Sequence, residues 1–444
     1  MKRYDSYKDS GVEWIGEIPS HWGTTKIKYT TDGSKYSFID GDWIESNNLS
    51  DDGIRYITTG NIGEGFYKEQ GKGYISEETF NNLNCTEVLE GDLVISRLSL
   101  PVGRSCIIPF IHHKVVTSVD NVILRPTSEF SKHYLNYQFN SKKYFDYTEL
   151  ISRGTTLTRI SRGMLGNNPI VSPPLSEQQQ IVSFLDTKTS KIDELILKKQ
   201  RKIELLTEYR TSLINEVVTK GLNPKVAMKD SGVEWIGEIP SHYQMISIKF
   251  LVATPLTDGP HETPVFIDDG IPFLSVNGIV GNSIDFNKVR GYISEELHLQ
   301  YSMKCKPQRD DVLLVKSGST TGKSTIVETD LDFNIWSPLC IVRSNKNKIL
   351  PRFTFQTFQS GYFRLLVENN WSYGTQPNIG MEVIENLSIV VPPLSEQHQI
   401  VSYLDEQTEK IDSSIQLEKK KIKLLKEYRQ SLISAVVTGK IKVF

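Results

Sequence analysis

Residues 8–21 read KDSGVEWIGEIPSH, and residues 229–242 repeat all fourteen without a change. A second pair follows: PPLSEQQQIVSFLD at 173–186 returns as PPLSEQHQIVSYLD at 392–405, with two differences. Glu208-Tyr209-Arg210 answers Glu427-Tyr428-Arg429, and Val217-Val218-Thr219 answers Val436-Val437-Thr438. Matches at offsets of 219 to 221 residues mark a duplication, so the chain is two similar halves. Between the shared ends the halves diverge. Residues 22–172 and 243–391 share only islands, such as GYISEE at 73–78 and 291–296. A fainter match sets EGDLVISRLSLPVGRS (90–105) against RDDVLLVKSGSTTGKS (309–324). Near-identical frames around dissimilar inserts suggest one scaffold carrying two recognition surfaces. Two copies of a catalytic domain would have repeated their middles.

Length and composition fit this reading. The chain has 444 residues, enough for two to four domains at roughly 150 residues each. With 38% hydrophobic and 23% charged residues, wholesale disorder is excluded. Lys and Arg number 51 against 53 Asp and Glu, a net charge of −2, so any polyanion must be bound by local patches. Cys85, Cys106, Cys305 and Cys340 lack the spacing of a zinc site or a disulfide scaffold. No apolar run approaches the roughly 20 residues that span a bilayer, and MKRYDSYKDSG lacks a secretory core. A cytoplasmic protein without a membrane partner is expected.

The segment 176–220 predicts one long helix, or two closely joined. Pro173-Pro174 ends the preceding strand, Ser176 is the expected N-cap with Gln179 three positions on, and Gly221 and Pro224 stop it. Ile181, Leu185, Ile192, Leu195, Ile203, Leu206, Leu213 and Val217 form a seam like that of a coiled coil. Residues 395–438 repeat the pattern through Ile400, Leu404, Ile411, Ile415, Ile422, Leu425, Leu432 and Val436. The two stripes suit one another, and pseudo-two-fold symmetry would make the pair antiparallel. The inserts read as short strands and loops, with strands at 53–58, 92–96, 118–124, 272–276, 311–316 and 338–343. The expected fold is α+β: two mixed α/β recognition domains, 1–172 and 223–391, joined by long antiparallel helices at 173–222 and 392–444.

Motifs with catalytic associations fail on inspection. GSTTGKS (318–324) has three residues between its glycines where the nucleotide loop needs four, and Ser99 replaces the first glycine in the other half. It reads instead as a tight turn after a strand, presenting Arg104 or Lys323 beside hydroxyls. SPPL (172–175) resembles a methyltransferase loop, but lacks the aromatic residue and has VPPL as its twin. His112-His113 and His261-Glu262 occur in one half each, without metal-ligand spacing.

Basic segments inside the inserts carry more. Lys142, Lys143, Arg153, Arg159 and Arg162 face only Asp146 and Glu149, with Thr155, Thr156, Thr158 and Ser161 interleaved. The second insert has Lys304, Lys306, Arg309, Lys316 and Lys323, then Arg343, Lys346, Lys348 and Arg352 with no acid between them. Such groups suit phosphates, while Arg, Asn and Gln can read base edges. Just before each helix, Arg153, Gly154, Thr155 and Arg159 take the place of Tyr373, Gly374, Thr375 and Asn378. DNA-contact candidates are therefore Arg97, Ser99, Arg104, Arg153, Thr155, Arg159 and Arg162 in the first half. In the second they are Lys316, Ser319, Thr320, Lys323, Arg343, Thr375, Gln376 and Asn378. The second pre-helix loop, SYGTQPN, has no basic residue, so Gln376 and Asn378 are expected to contact adenine.

KDSGVEWIGEIPSHW, the PPLSEQQ junction, the helix ending in SLINEVVTKGLNP and their second occurrence together resemble the specificity subunit of type I restriction-modification systems. The resemblance spans essentially the whole chain. It implies a non-catalytic subunit in which each variable domain reads one half of a bipartite, asymmetric site on double-stranded DNA. The helices would set the gap, and the shared frame would dock two methylation subunits, joined by two restriction subunits. S-adenosylmethionine, ATP and magnesium would belong to those partners, with no cofactor in this chain. Two competing readings make different demands. A chain that itself cuts or methylates DNA needs a cofactor loop or metal cluster, and a protein-binding scaffold predicts no salt-sensitive DNA affinity.

Overall fold

A computed structural model of the protein describes residues 2–71, 73–154, 157–374 and 376–444, the side chain of Tyr373 excepted. Its contacts divide the chain into two compact units, residues 1–199 with 420–444, and residues 200–419. The division by contact thus differs from the four-segment division by sequence, because each unit takes half of each long helix.

In the first unit a four-stranded antiparallel sheet runs in the order Phe38–Asp40, Asn121–Leu124, Leu93–Ser96, Ser105–Ile107. Its two central strands are buried along their whole length, which explains their unbroken apolar runs. A second sheet orders Val115–Thr117, Ile54–Ile57, Tyr74–Ile75 and Leu49–Ser50, the first two parallel. The core gathers Ile15, Trp22, Leu93, Leu124, Tyr134, Phe139 and Leu165 onto Ile181, Leu185, Ile192 and Ile196 of one long helix and Leu432, Ile433, Val436 and Val437 of the other.

The second unit repeats the main sheet as Thr257–Asp258, Leu339–Val342, Val312–Val315, Ser324–Ile326. Beside it lies a three-stranded sheet of Gly291–Ile293, Ile271–Leu274 and Asn334–Ile335. Its core joins Tyr243, Phe353, Tyr362 and Phe363 to Ile214, Val217, Val218, Ile400 and Leu404. Here the helices run antiparallel, with Lys202 paired to Glu418 at 3.1 Å and Arg210 to Asp412 at 3.0 Å.

Both long helices are continuous, Leu175–Lys220 with 46 residues and Leu394–Val437 with 44. Ser176 is not the N-cap. The helix starts one residue earlier, and the carbonyl of Pro174 accepts from the backbone N–H of Glu177 and Gln178 at 2.9 and 3.0 Å. Gly221, at φ +71°, ends the first helix as expected. Leu195 also departs from the expected seam: it is 46% exposed while Ile196 is 8% exposed. A straight helix drifts relative to a strict heptad, so the buried stripe passes from Ile192 to the fourth residue on rather than the third.

Candidate nucleic-acid interface

Each shared frame is locked to the start of its helix by one carboxylate. Glu177 accepts from Trp22 Nε1 at 2.8 Å and meets His21 Nε2 at 2.7 Å. Glu396 accepts from the Tyr243 hydroxyl at 2.8 Å and meets His242 Nε2 at 2.7 Å. An acid in the first turn is also favoured by the helix dipole.

On this base each unit brings together two segments far apart in sequence. In the first, the turn after strand Leu93–Ser96 is closed by Ser99 at φ +62° and Gly103 at φ +87°. The pre-helix segment folds back across it. Arg153 and Arg159 exchange backbone hydrogen bonds of 2.8 and 2.9 Å, and Ser99 N–H donates to Thr158 O at 2.9 Å. In the second unit, the turn after Val312–Val315 meets the hairpin of Ser372–Tyr373 and Pro377–Asn378. Gly318 N–H donates to Pro377 O at 3.0 Å, and the Thr321 hydroxyl reaches the same oxygen at 3.1 Å.

The candidate side chains separate into two groups. Arg104 is inward: Nε donates to Ile62 O at 2.8 Å, Nη1 to the carbonyls of Leu98, Ser99 and Pro101, and Nη2 to Thr59 O at 2.8 Å. Burial pushes its pKa down. Lys323, its counterpart, donates to Ile279 O at 2.7 Å, and burial lowers its pKa too. Arg97 is buried against Asp40 at 3.0 Å and donates to Ile160 O at 3.1 Å, and Lys316 sits 3.3 Å from Asp258. Arg343 forks onto Asp311 at 2.7 and 2.8 Å, as Arg125 does onto Asp92. These five hold the loops and strands together.

The outward group is smaller. Arg153 is exposed; Arg159 and Arg162 keep 47% and 45% of their side-chain surface while touching Asp120 at 2.7 Å and Asp40 at 3.5 Å. Ser99 is half-buried at the turn, and Ser319, Thr320, Gln376 and Asn378 are exposed. Thr155 and Thr375 lie outside the described residues. The run Arg343, Lys346, Lys348, Arg352 is not a free basic patch. Asp311, Asp310, Asp405 and Glu328 from other segments pair with its Arg343, Lys346 and Arg352, and Lys348 donates to Phe250 O at 2.9 Å.

Sequence reasoning missed the acids that organise both sites. Asp40 receives Arg97 and Arg162; Asp258 receives Lys304 at 2.7 Å, Lys316 at 3.3 Å and His261 at 3.2 Å. Strand register makes them equivalent, for Asp40 faces Val122 and Asp258 faces Cys340 on corresponding strands. A signal was present: both are followed by glycine, and a Cβ at Gly41 or Gly259 would collide with the carbonyl of Thr117 or Ile335. Among the described residues, no group of three or more His, Cys, Asp or Glu could hold a metal ion. No helix among them is long and apolar enough to cross a membrane.

The chain matches the family described as the type I restriction modification DNA specificity domain over residues 35–205 and again over 266–427. It is 23% identical over 438 residues to a putative type I restriction enzyme MjaX specificity subunit of Methanocaldococcus jannaschii, covering 97% of this chain and 96% of that one. Over 292 residues it is 23% identical to the EcoBI specificity subunit of Escherichia coli, covering 64% and 61%. A chain solved in work on complex assembly and conformational transition of the type I R-M system shares the fold, with a TM-score of 0.69 at 16% identity over 96% of this chain and 99% of that one. With both halves matched and the same loop pair built into each unit, the chain belongs to the type I restriction-modification DNA specificity subunits.

Proposed function

We propose that the two units read the two halves of a bipartite, asymmetric DNA site, and that the chain itself performs no catalysis. The observation that carries this reading is the pairing of strand turn and pre-helix hairpin in both units, on matching carboxylate-locked frames but with different outward side chains. In the first unit Arg153, Arg159 and Arg162 supply phosphate or guanine contacts, and Ser99 a hydroxyl. In the second, Ser319 and Thr320 supply hydroxyls, and Gln376 and Asn378 contact adenine. The long helices fix the gap between half-sites. The duplicated frame docks two methylation subunits, two restriction subunits complete the complex, and S-adenosylmethionine, ATP and magnesium are held by those partners in the cytoplasm. Modest net charge fits a reader whose partners supply part of the phosphate contact.

The test is genome-wide mapping of modified adenines in cells co-expressing the chain with its methylation subunit, against cells lacking the chain. A new bipartite motif with a fixed gap is expected. An assembled complex that produces no motif overturns the reading in favour of a protein-binding scaffold. Loss of an adenine position after joint Gln376→Ala and Asn378→Ala is expected, and unchanged methylation sinks that assignment.

A further inference from the structure

In the second unit a recess of about 400 Å³ opens between Ser275, Asn277, Lys288, Arg290 and Trp336. Arg290 is exposed, and its guanidinium carbon lies 3.4 Å from the centre of the Trp336 ring, a close stack of cation on indole. Both residues are anchored on one strand: Arg290 N–H donates to Phe273 O at 3.0 Å and Trp336 N–H to Leu274 O at 2.9 Å. Among the described residues Arg290 enters no ion pair.

Hydrogen bonds tie the segments that flank the recess to the strand turn of the candidate interface. Lys316 N–H, at the start of the strand turn, donates to Pro338 O, two residues beyond Trp336, at 2.8 Å. Lys323, at its end, reaches Ile279 O, two residues beyond Asn277, at 2.7 Å. The first unit uses an arginine here differently. Arg55, on the matching strand Ile54–Ile57, is buried, donates to the carbonyls of Gln70, Gly71 and Gly73, and pairs with Glu69 at 3.1 Å. At the same register the second unit has Pro272, opposite Tyr292 as Arg55 is opposite Tyr74, and proline has no side chain for that task.

Resting on the half-site reading above, we propose that Arg290, held flat on Trp336, reads a guanine in the half-site of the second unit. Two N–H groups of the fork donate to O6 and N7, while Lys288 and Asn277 at the rim meet the neighbouring phosphate. Stacking favours a base edge over a phosphate as the target. It fixes the plane of the fork in advance, which bidentate recognition needs and a point-charge contact does not.

The experiment maps adenine methylation directed by the complex carrying the wild-type chain, Arg290→Ala, Arg290→Lys or Trp336→Leu. Thermal melting of each complex establishes folding, and Arg290→Lys keeps the charge where the alanine variant fails to fold. Arg290→Ala and Arg290→Lys are expected to relax one guanine position, cutting discrimination there roughly 10- to 100-fold, with the other half-site untouched. Trp336→Leu should relax the same position more weakly. An unchanged motif overturns the assignment. So does uniform weakening across all sequences with a shallower salt dependence, the mark of a phosphate contact. A wild-type chain that directs no motif brings down the half-site reading and this inference together, whereas an intact wild-type motif that the variants leave alone removes only Arg290.

Discussion

Arg104 and Asp258 show how one ionisable side chain organises a reading loop. Arg104 binds five carbonyl oxygens from two segments, so Arg104→Ala takes the charged donor from each, the buried carbonyl of Ile62 among them. Such a loss costs about 2–4 kcal/mol, to be seen as a lower urea midpoint for the first unit. Asp258 carries a pKa below its ordinary 3.8: burial works to raise it, and Lys304 and Lys316 outweigh burial. Its contribution to stability is therefore present above about pH 4 and is lost as pH falls through the depressed folded value. Asp258→Asn should flatten that acid-side dependence and, by leaving Lys316 partly buried beside a neutral amide, cost about 3 kcal/mol at neutral pH. Unfolding in urea from pH 3 to 7 reads both effects, and an unaltered pH profile would contradict the role given to Asp258.

Along the helices the weight lies in the apolar seam. Leu432 is 3% exposed in the core of the first unit, and truncation to alanine should cost about 2–4 kcal/mol. Arg429, which meets Asp193 at 3.0 Å with both side chains partly in solvent, should lose less than about 1 kcal/mol on the same change. Chemical denaturation of the two variants side by side tests the ranking, and a larger loss at Arg429 would refute it. Helix extent and most of the seam were legible because Gly221, the paired prolines and apolar spacing act locally. The choice of Ile196 over Leu195 was not, since it depends on how far a straight helix drifts before it meets its neighbour.

At the scale of the whole chain, identical frames around different inserts predict modular specificity. Exchanging residues 244–391 for the corresponding segment of a relative should change one half of the methylated motif and leave the other intact. The reason is local: His242 and Tyr243 lock onto Glu396 just as His21 and Trp22 lock onto Glu177, so a new insert meets a prebuilt base. Methylation mapping of the chimaera decides, and a motif altered in both halves would refute modularity.

The duplication, the α+β class, the two long helices and the turn followed by a pre-helix loop in each half were all readable from the sequence. Each is written in repetition, periodicity or local backbone chemistry, which need no knowledge of distant contacts. Which cations face outward was decided only by the tertiary structure. Arg97, Arg104, Lys316, Lys323 and Arg343 resemble Arg153 and Arg159 as residue types, but carbonyls and acids brought from 3 to 63 positions away claim them. Burying a cation is costly unless such partners are supplied, and the supply depends on strand register rather than on neighbouring sequence. The same physics leaves Arg290 stacked on Trp336 without an ion pair among the described residues, a position that sequence spacing did not single out.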